Sequence, residues 1–160
     1  MTVETMLAIA ALAIAAPMGT EAPAAAANPL LAPWTGPYGG VPPFDRARPE
    51  HLQPALEAGI AEQLSEVDRI AEDPSPPTFE NTLAALERSG RTLSRVGAVY
   101  GVFKSTLDGP EVQAVEREME PKLAAMNDRI VQNPRLFARL AAVYERPESG
   151  GRSPEQKQAA

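Results

Sequence analysis

The sequence predicts an all-α protein, a bundle of about four helices preceded by an extended arm rich in proline and glycine. Three observations carry that reading. From Leu52 onward apolar residues recur at spacings of three and four, which is the period of one helix face. Pro49, Pro110 and Pro134 each stand just before such a stripe, where a missing N–H costs a helix nothing. No useful length of sequence alternates with the period of two that a half-buried strand requires. The 160 residues suit about one domain. Cysteine is absent, which excludes disulfides, thiolate zinc sites and cysteine nucleophiles. A net charge of −6 argues against a nucleic-acid partner.

The chain opens with residues 1–27, a leader. Its apolar run, residues 6–16, is too short to span a bilayer as a helix. Pro17 and the small residues Ala25, Ala26 and Ala27 follow, as in a signal peptide with a cleavage site. No Lys or Arg precedes Arg46, however, so the basic start of such a signal is missing. The leader reads either as a secretory signal or as a disordered alanine-rich segment. Cleavage would make the protein periplasmic or secreted; otherwise it is cytoplasmic.

Residues 28–48 form the arm. Proline or glycine interrupts it every few residues, so neither helix nor regular strand is expected. Leu30, Leu31, Trp34, Tyr38, Val41 and Phe44 are too apolar for a solvated tether. Such a segment lies in a groove of something larger, or packs on its own helices.

Helices are expected over residues 49–146. The first spans 49–72 with the stripe Leu52, Leu56, Ile60, Leu64, Val67 and Ile70; Pro54 is near enough to its start to be tolerated. Asp73 to Pro77 is a loop. Thr78 then has the chemistry of an N-cap, and Asn81 can return the bond as a capping box. Glu80 falls in the first turn, where the helix dipole favours it. This second run extends over 78–107 with the stripe Phe79, Leu83, Leu86, Leu93, Val96, Tyr100 and Phe103. Gly90 occupies a stripe position, where glycine costs about 1 kcal/mol against alanine. A break at Ser89-Gly90 or a closely approaching neighbour is therefore expected. A third helix covers 110–132 with Val112, Val115, Met119, Leu123, Met126 and Ile130, and with Pro121 in its middle. Asn133 caps a fourth, carrying Leu136, Phe137, Leu140, Val143 and Tyr144. Residues 147–160 turn polar, and Ser153-Pro154-Glu155-Gln156 reads as the start of a truncated helix.

Chemistry-bearing residues are few. His51 is the single histidine, and a zinc site needs three or four protein ligands. It reads as a surface or capping residue, and no nucleophile elbow is present for it to serve. Glu116 with Glu120, and Glu62 with Glu66, each share a helix face; such pairs on an acidic helical protein read as solvated. Glu118 with Lys122, and Glu87 with Arg91, have the spacing of ordinary helix ion pairs. Gly36, Gly39 and Gly40 lack the Lys-Ser/Thr and the strand–loop–helix context of a phosphate loop. No catalytic, metal-binding or substrate-binding residue is assigned.

Several stretches carry more than their physics. Asn28-Pro29-Leu30-Leu31, then Trp34-Thr35-Gly36-Pro37-Tyr38-Gly39-Gly40-Val41-Pro42-Pro43-Phe44-Asp45, resembles the start of the mature peptidyl-dipeptidases of the thimet-oligopeptidase family of zinc metallopeptidases. Arg48-Pro49-Glu50-His51-Leu52, Pro77-Thr78-Phe79-Glu80-Asn81-Thr82 and Glu116-Arg117-Glu118-Met119-Glu120-Pro121-Lys122-Leu123 are similar to later motifs of the same family, in order. The resemblance covers roughly residues 28–160. It implies a largely helical peptidase several times longer than this chain, which cuts short peptides and releases C-terminal dipeptides. It also implies zinc, held in a His-Glu-x-x-His helix whose glutamate acts as base. None of those residues occurs here, so none is carried over. The expectation is an N-terminal scaffold, inactive alone, whose partner is the missing C-terminal catalytic region. The alternative is a free-standing periplasmic helical module that binds a partner; a third reading is a non-catalytic peptide-binding regulator.

Overall fold

The computed structural model describes residues 28–37, 40–107 and 109–145. After an irregular arm come α1 (Pro49–Glu72), a π-helical turn (Phe79–Ala84), the short α2 (Ala85–Arg88), α3 (Arg91–Thr106), α4 (Pro110–Val131) and α5 (Pro134–Tyr144). No strand occurs among the described residues. The all-α expectation holds. The second helical run is divided at Ser89-Gly90, as the glycine implied.

α1 is the spine. At about 1.5 Å per residue its 24 residues span roughly 36 Å. Its N-terminal half buries Leu52, Ala55 and Leu56 against Leu93, Val96, Val99, Tyr100 and Phe103 of α3 and Val112, Val115 and Met119 of α4. Its C-terminal half buries Val67, Ile70 and Ala71 in a second cluster with Leu136 of α5. Gly59 lies between the two. A Cβ there would stand 2.9 Å from the Leu93 Cα, so the helices touch backbone to backbone at this point. One turn on, the side chain of Gln63 lies against Gly90, and Glu66 Oε2 accepts the Gly90 N–H at 2.7 Å. Gly90 has φ +69°, the left-handed region that glycine enters without strain. Both readings of Gly90 are thus true: the chain breaks there, and a neighbour approaches closely. Contacts that run Gly59 to Leu93 and Glu66 to Gly90 make α3 antiparallel to α1.

The arm divides. Leu30 is fully buried in the first cluster, and Leu31 and Trp34 pack against it. The Arg95 guanidinium lies over the Trp34 ring at 5.3 Å. Asn28 fastens the arm's start, with its Nδ2 donating to the His51 carbonyl at 2.9 Å. Val41 and Phe44 stay exposed. The arm therefore packs on its own helices at both ends, through Leu30, Leu31 and Trp34 and again through the buried Ala47. Tyr38 and Gly39, the leader 1–27 and residues 147–160 lie outside the described residues.

Three expectations need correction. Phe79 is half-buried, and Thr82 is the fully buried residue of its turn. The i→i+5 bonding of the π turn adds a residue per turn, so a stripe drawn at 3.6 residues loses register across it. On α5, Phe137 and Tyr144 are exposed, and Arg139 takes the buried place between Leu136 and Val143. Glu87 and Arg91 form no ion pair, because the break at Ser89-Gly90 separates them.

Gly59→Ala tests the α1–α3 crossing. Alanine gains about 1 kcal/mol in helix propensity. The clash is with backbone and cannot be relieved by a rotamer change, so overpacking of about 1–3 kcal/mol opposes it. The expected result is a lower urea midpoint, with the helical signal of the folded state retained.

Candidate functional site

The densest polar constellation forms where the loop after α1 meets α5. The Thr78 hydroxyl accepts the Asn81 N–H at 3.1 Å, and Asn81 Oδ1 accepts the Thr78 N–H at 2.7 Å, so the expected capping box is present. Asn81 Nδ2 donates to the Pro76 carbonyl at 3.1 Å, and the Asp73 carboxylate accepts the Ser75 N–H at 2.8 Å. Between these turns sits Arg139, only 7% exposed. Its Nη1 donates to the Asp73 carbonyl at 2.6 Å and the Ser75 carbonyl at 3.1 Å. Its Nη2 reaches Asp73 Oδ2 at 3.4 Å, Asn81 Oδ1 at 3.1 Å and Thr82 Oγ1 at 3.4 Å. Its Nε is buried without a partner. One guanidinium thus holds the loop, the start of the π turn and α5 together. Sequence reasoning passed over Arg139, although its spacing of three from Leu136 and four from Val143 already places it on the buried face.

Beside this knot an open cleft of about 500 Å³ lies between the C-terminal half of α1 and the π turn. Glu66, Arg69, Glu80 and Arg88 are on its walls. Arg88 pairs with Glu80 at 2.9 Å, Glu66 accepts the Gly90 N–H, and Arg69 donates to the Ser65 carbonyl.

A second cluster joins α3 to α4. Lys104 Nζ lies 2.7 Å from Glu116 Oε1 and 2.8 Å from Glu120 Oε1, and over the Tyr100 ring at 5.3 Å. The Glu116 bond first, and then the Glu120 bond, push the Lys104 pKa above the usual lysine value. Burial raises the Tyr100 phenol. Glu116 and Glu120 therefore do share a face, but they clamp an ammonium. Glu118 and Lys122 form the expected i,i+4 pair at 2.9 Å, and Lys122 also reaches Glu57 at 2.6 Å. The Glu62–Glu66 pair is split: Glu66 serves Gly90, while Glu62 is exposed.

His51 has the capping role. Its Nδ1 accepts the Arg48 N–H at 3.1 Å, closing the first turn of α1. Among the described residues no three His, Asp or Glu side chains stand close enough to hold a metal ion, and so these residues do not fit the zinc that the resemblance implies. Among the same residues no hydroxyl is hydrogen-bonded to the His51 ring. What the constellation does is tie the loop after α1, the π turn and α5 together. No helix among the described residues is long and apolar enough to cross a membrane.

No family model matches the chain. A dipeptidyl carboxypeptidase of Salmonella typhimurium is 38% identical over 124 residues, covering 78% of this chain and 18% of the relative. The dipeptidyl carboxypeptidase of Escherichia coli is 37% identical over the same length. Oligopeptidase A of Escherichia coli is 26% identical over 110 residues, 69% of this chain and 15% of that protein. The chain thus spans less than a fifth of the length of these relatives.

Two outcomes are expected at the Arg139 knot. Arg139→Met leaves the Asp73 and Ser75 carbonyls and the Asp73 carboxylate without their cation, and should cost about 2–4 kcal/mol in urea denaturation. Asp73 supplies a pH dependence. The Ser75 amide first, then the Ser75 hydroxyl, with the Arg139 charge adding, hold its carboxyl below the usual aspartate value. A depressed folded pKa gives stability that is complete above the unfolded value, about 3.9, and is lost as pH falls through the folded one. Melting temperature followed downward from about pH 5 should therefore fall less steeply in Asp73→Asn than in the parent chain.

Proposed function

We propose, from the premise that the chain belongs to the thimet-oligopeptidase family with the dipeptidyl carboxypeptidases and oligopeptidases A, that it is the N-terminal scaffold of a zinc-dependent peptidyl-dipeptidase. The whole enzyme hydrolyses short peptides and releases dipeptides from their C-termini. The observation that carries this reading is the 38% identity to a dipeptidyl carboxypeptidase, over 78% of this chain but only 18% of that relative. Zinc and the groups that act with it belong to the remainder of the enzyme. This chain supplies one wall of the peptide channel, and its helices limit entry to short, unfolded peptides. Two features support a purely structural part. His51 is spent on the α1 cap, and Glu116 and Glu120 on Lys104. The enzyme is periplasmic if the leader is cleaved.

The test is an assay of the purified chain alone, with metal analysis, beside the same chain joined to the catalytic remainder. The expected result is no stoichiometric zinc and no dipeptide release from the chain alone, with release of C-terminal dipeptides once the remainder is present. One zinc per chain, or hydrolysis by the chain alone, would overturn the assignment.

A further inference from the structure

The outer face of α5 is unlike the rest of the surface. The helix carries two charged residues, and both are turned toward the α1 side: Arg135 pairs with Glu72 at 2.8 Å, and Arg139 is held by the Asp73 loop. What remains outward is Phe137 and Tyr144, 69% and 68% exposed, with Ala138 also exposed and Ala141 half-buried. Phe137, Ala141 and Tyr144 follow at spacings of four and three, so they form one stripe. α5 is therefore apolar on two faces, and among the described residues only the inner one is covered. Exposed Val131 ends α4, two residues before α5 begins.

The size of this face says what kind of occupant it suits. Eleven helical residues at about 1.5 Å each, on a cylinder about 10 Å wide, offer on the order of 200 Å². A stable complex between free proteins buries roughly 800 Å² on each partner, so a second copy of this chain would be held too weakly. A covalently continuous partner needs far less, because the tether holds it at an effective concentration on the order of millimolar. Residues 147–160 cannot fill the role, having no apolar residue larger than alanine except Pro147 and Pro154.

We propose that the Phe137–Tyr144 face of α5 is the seat on which the catalytic remainder of the peptidase docks, through an apolar segment of that remainder. This rests on the scaffold reading above. The probe is the full 160-residue chain joined at Ala160 to the part of the Salmonella typhimurium dipeptidyl carboxypeptidase that follows the shared region, so that the tether is present. This fusion and its Phe137→Asp/Tyr144→Asp variant are compared for dipeptide release and for melting. Both side chains are exposed, so in the unfused chain the variant should keep the parent's helix content and melting temperature. The expected result is dipeptide release and a single melting transition from the parent fusion, with release at least tenfold lower and the two parts melting separately in the variant. Equal release and equal melting by the two fusions overturns the α5 seat and leaves the scaffold reading standing. No release from either fusion overturns both. A variant that melts earlier alone shows that the face is already covered within this chain. Self-association of the parent that the variant abolishes shows that a second copy covers it. Either result overturns the proposal.

Discussion

The structure depends on the close approach of α1 and α3 at Gly59. A side chain at that position would hold the two helices apart along the whole crossing, since interiors of normal density have no room to redistribute a displaced backbone. The contact lets Leu52, Ala55 and Leu56 on one side of it, and Val67, Ile70 and Ala71 on the other, reach separate clusters from a single helix. Every other helix then takes its position from α1. The same helix face continues to Gln63 and Glu66, which meet Gly90. The start of α3 is thus fixed twice, by the Gly59 contact and by a carboxylate at its N-terminus, where the helix dipole favours negative charge. Glu66 has the look of a solvated acid in the sequence and works as a cap supplied from another helix.

Charges add register more than stability. Glu57, Asp68 and Glu72 of α1 meet Lys122, Arg129 and Arg135 at 2.6, 2.7 and 2.8 Å. The first two pairs advance along both helices in the same sense, so α4 runs parallel to α1. All these side chains are substantially exposed, and such pairs contribute about 0–1 kcal/mol each. Wrong registers, however, would oppose like charges. Arg139 differs in kind. It is buried, it meets several acceptors at once, and the groups it satisfies are backbone carbonyls and a loop carboxylate with few other partners. Removing it would strand all of them together, which is why one side chain can govern where α5 sits.

Much of this was legible in the sequence, for identifiable reasons. Helix starts were marked by residues that act locally: Pro49, Thr78 with Asn81, Pro110, and Asn133 with Pro134. Capping chemistry needs nothing beyond a few neighbouring residues, so it survives any tertiary context. Stripes were legible where the helix is regular, as in α3 and the first half of α4. They failed where periodicity itself changed, at the π turn, so that Thr82 and not Phe79 is fully buried. They failed again where residue type outweighed position. Arg139 lies on the inner face and Phe137 on the outer one, the reverse of what hydrophobicity alone selects. Long-range partners were invisible in principle: nothing local announces that Glu66 serves Gly90, or that Glu116 and Glu120 serve Lys104.

These misreadings share a physical origin that also bears on function. Each apparent pair of free carboxylates has at least one member committed elsewhere, and the histidine is committed as well. A pKa shift comes from burial, from a neighbouring charge or from a hydrogen bond to one protonation state. Here Lys104 is raised between two glutamates, Lys122 is raised beside Glu57 and Glu118, Asp73 is lowered at the Ser75 turn, and Tyr100 is raised by burial. Polar groups spent in this way fix where α3, α4 and α5 sit against α1: Glu66 at Gly90, Glu57 at Lys122, Asp68 at Arg129, and Arg139 at the Asp73 loop.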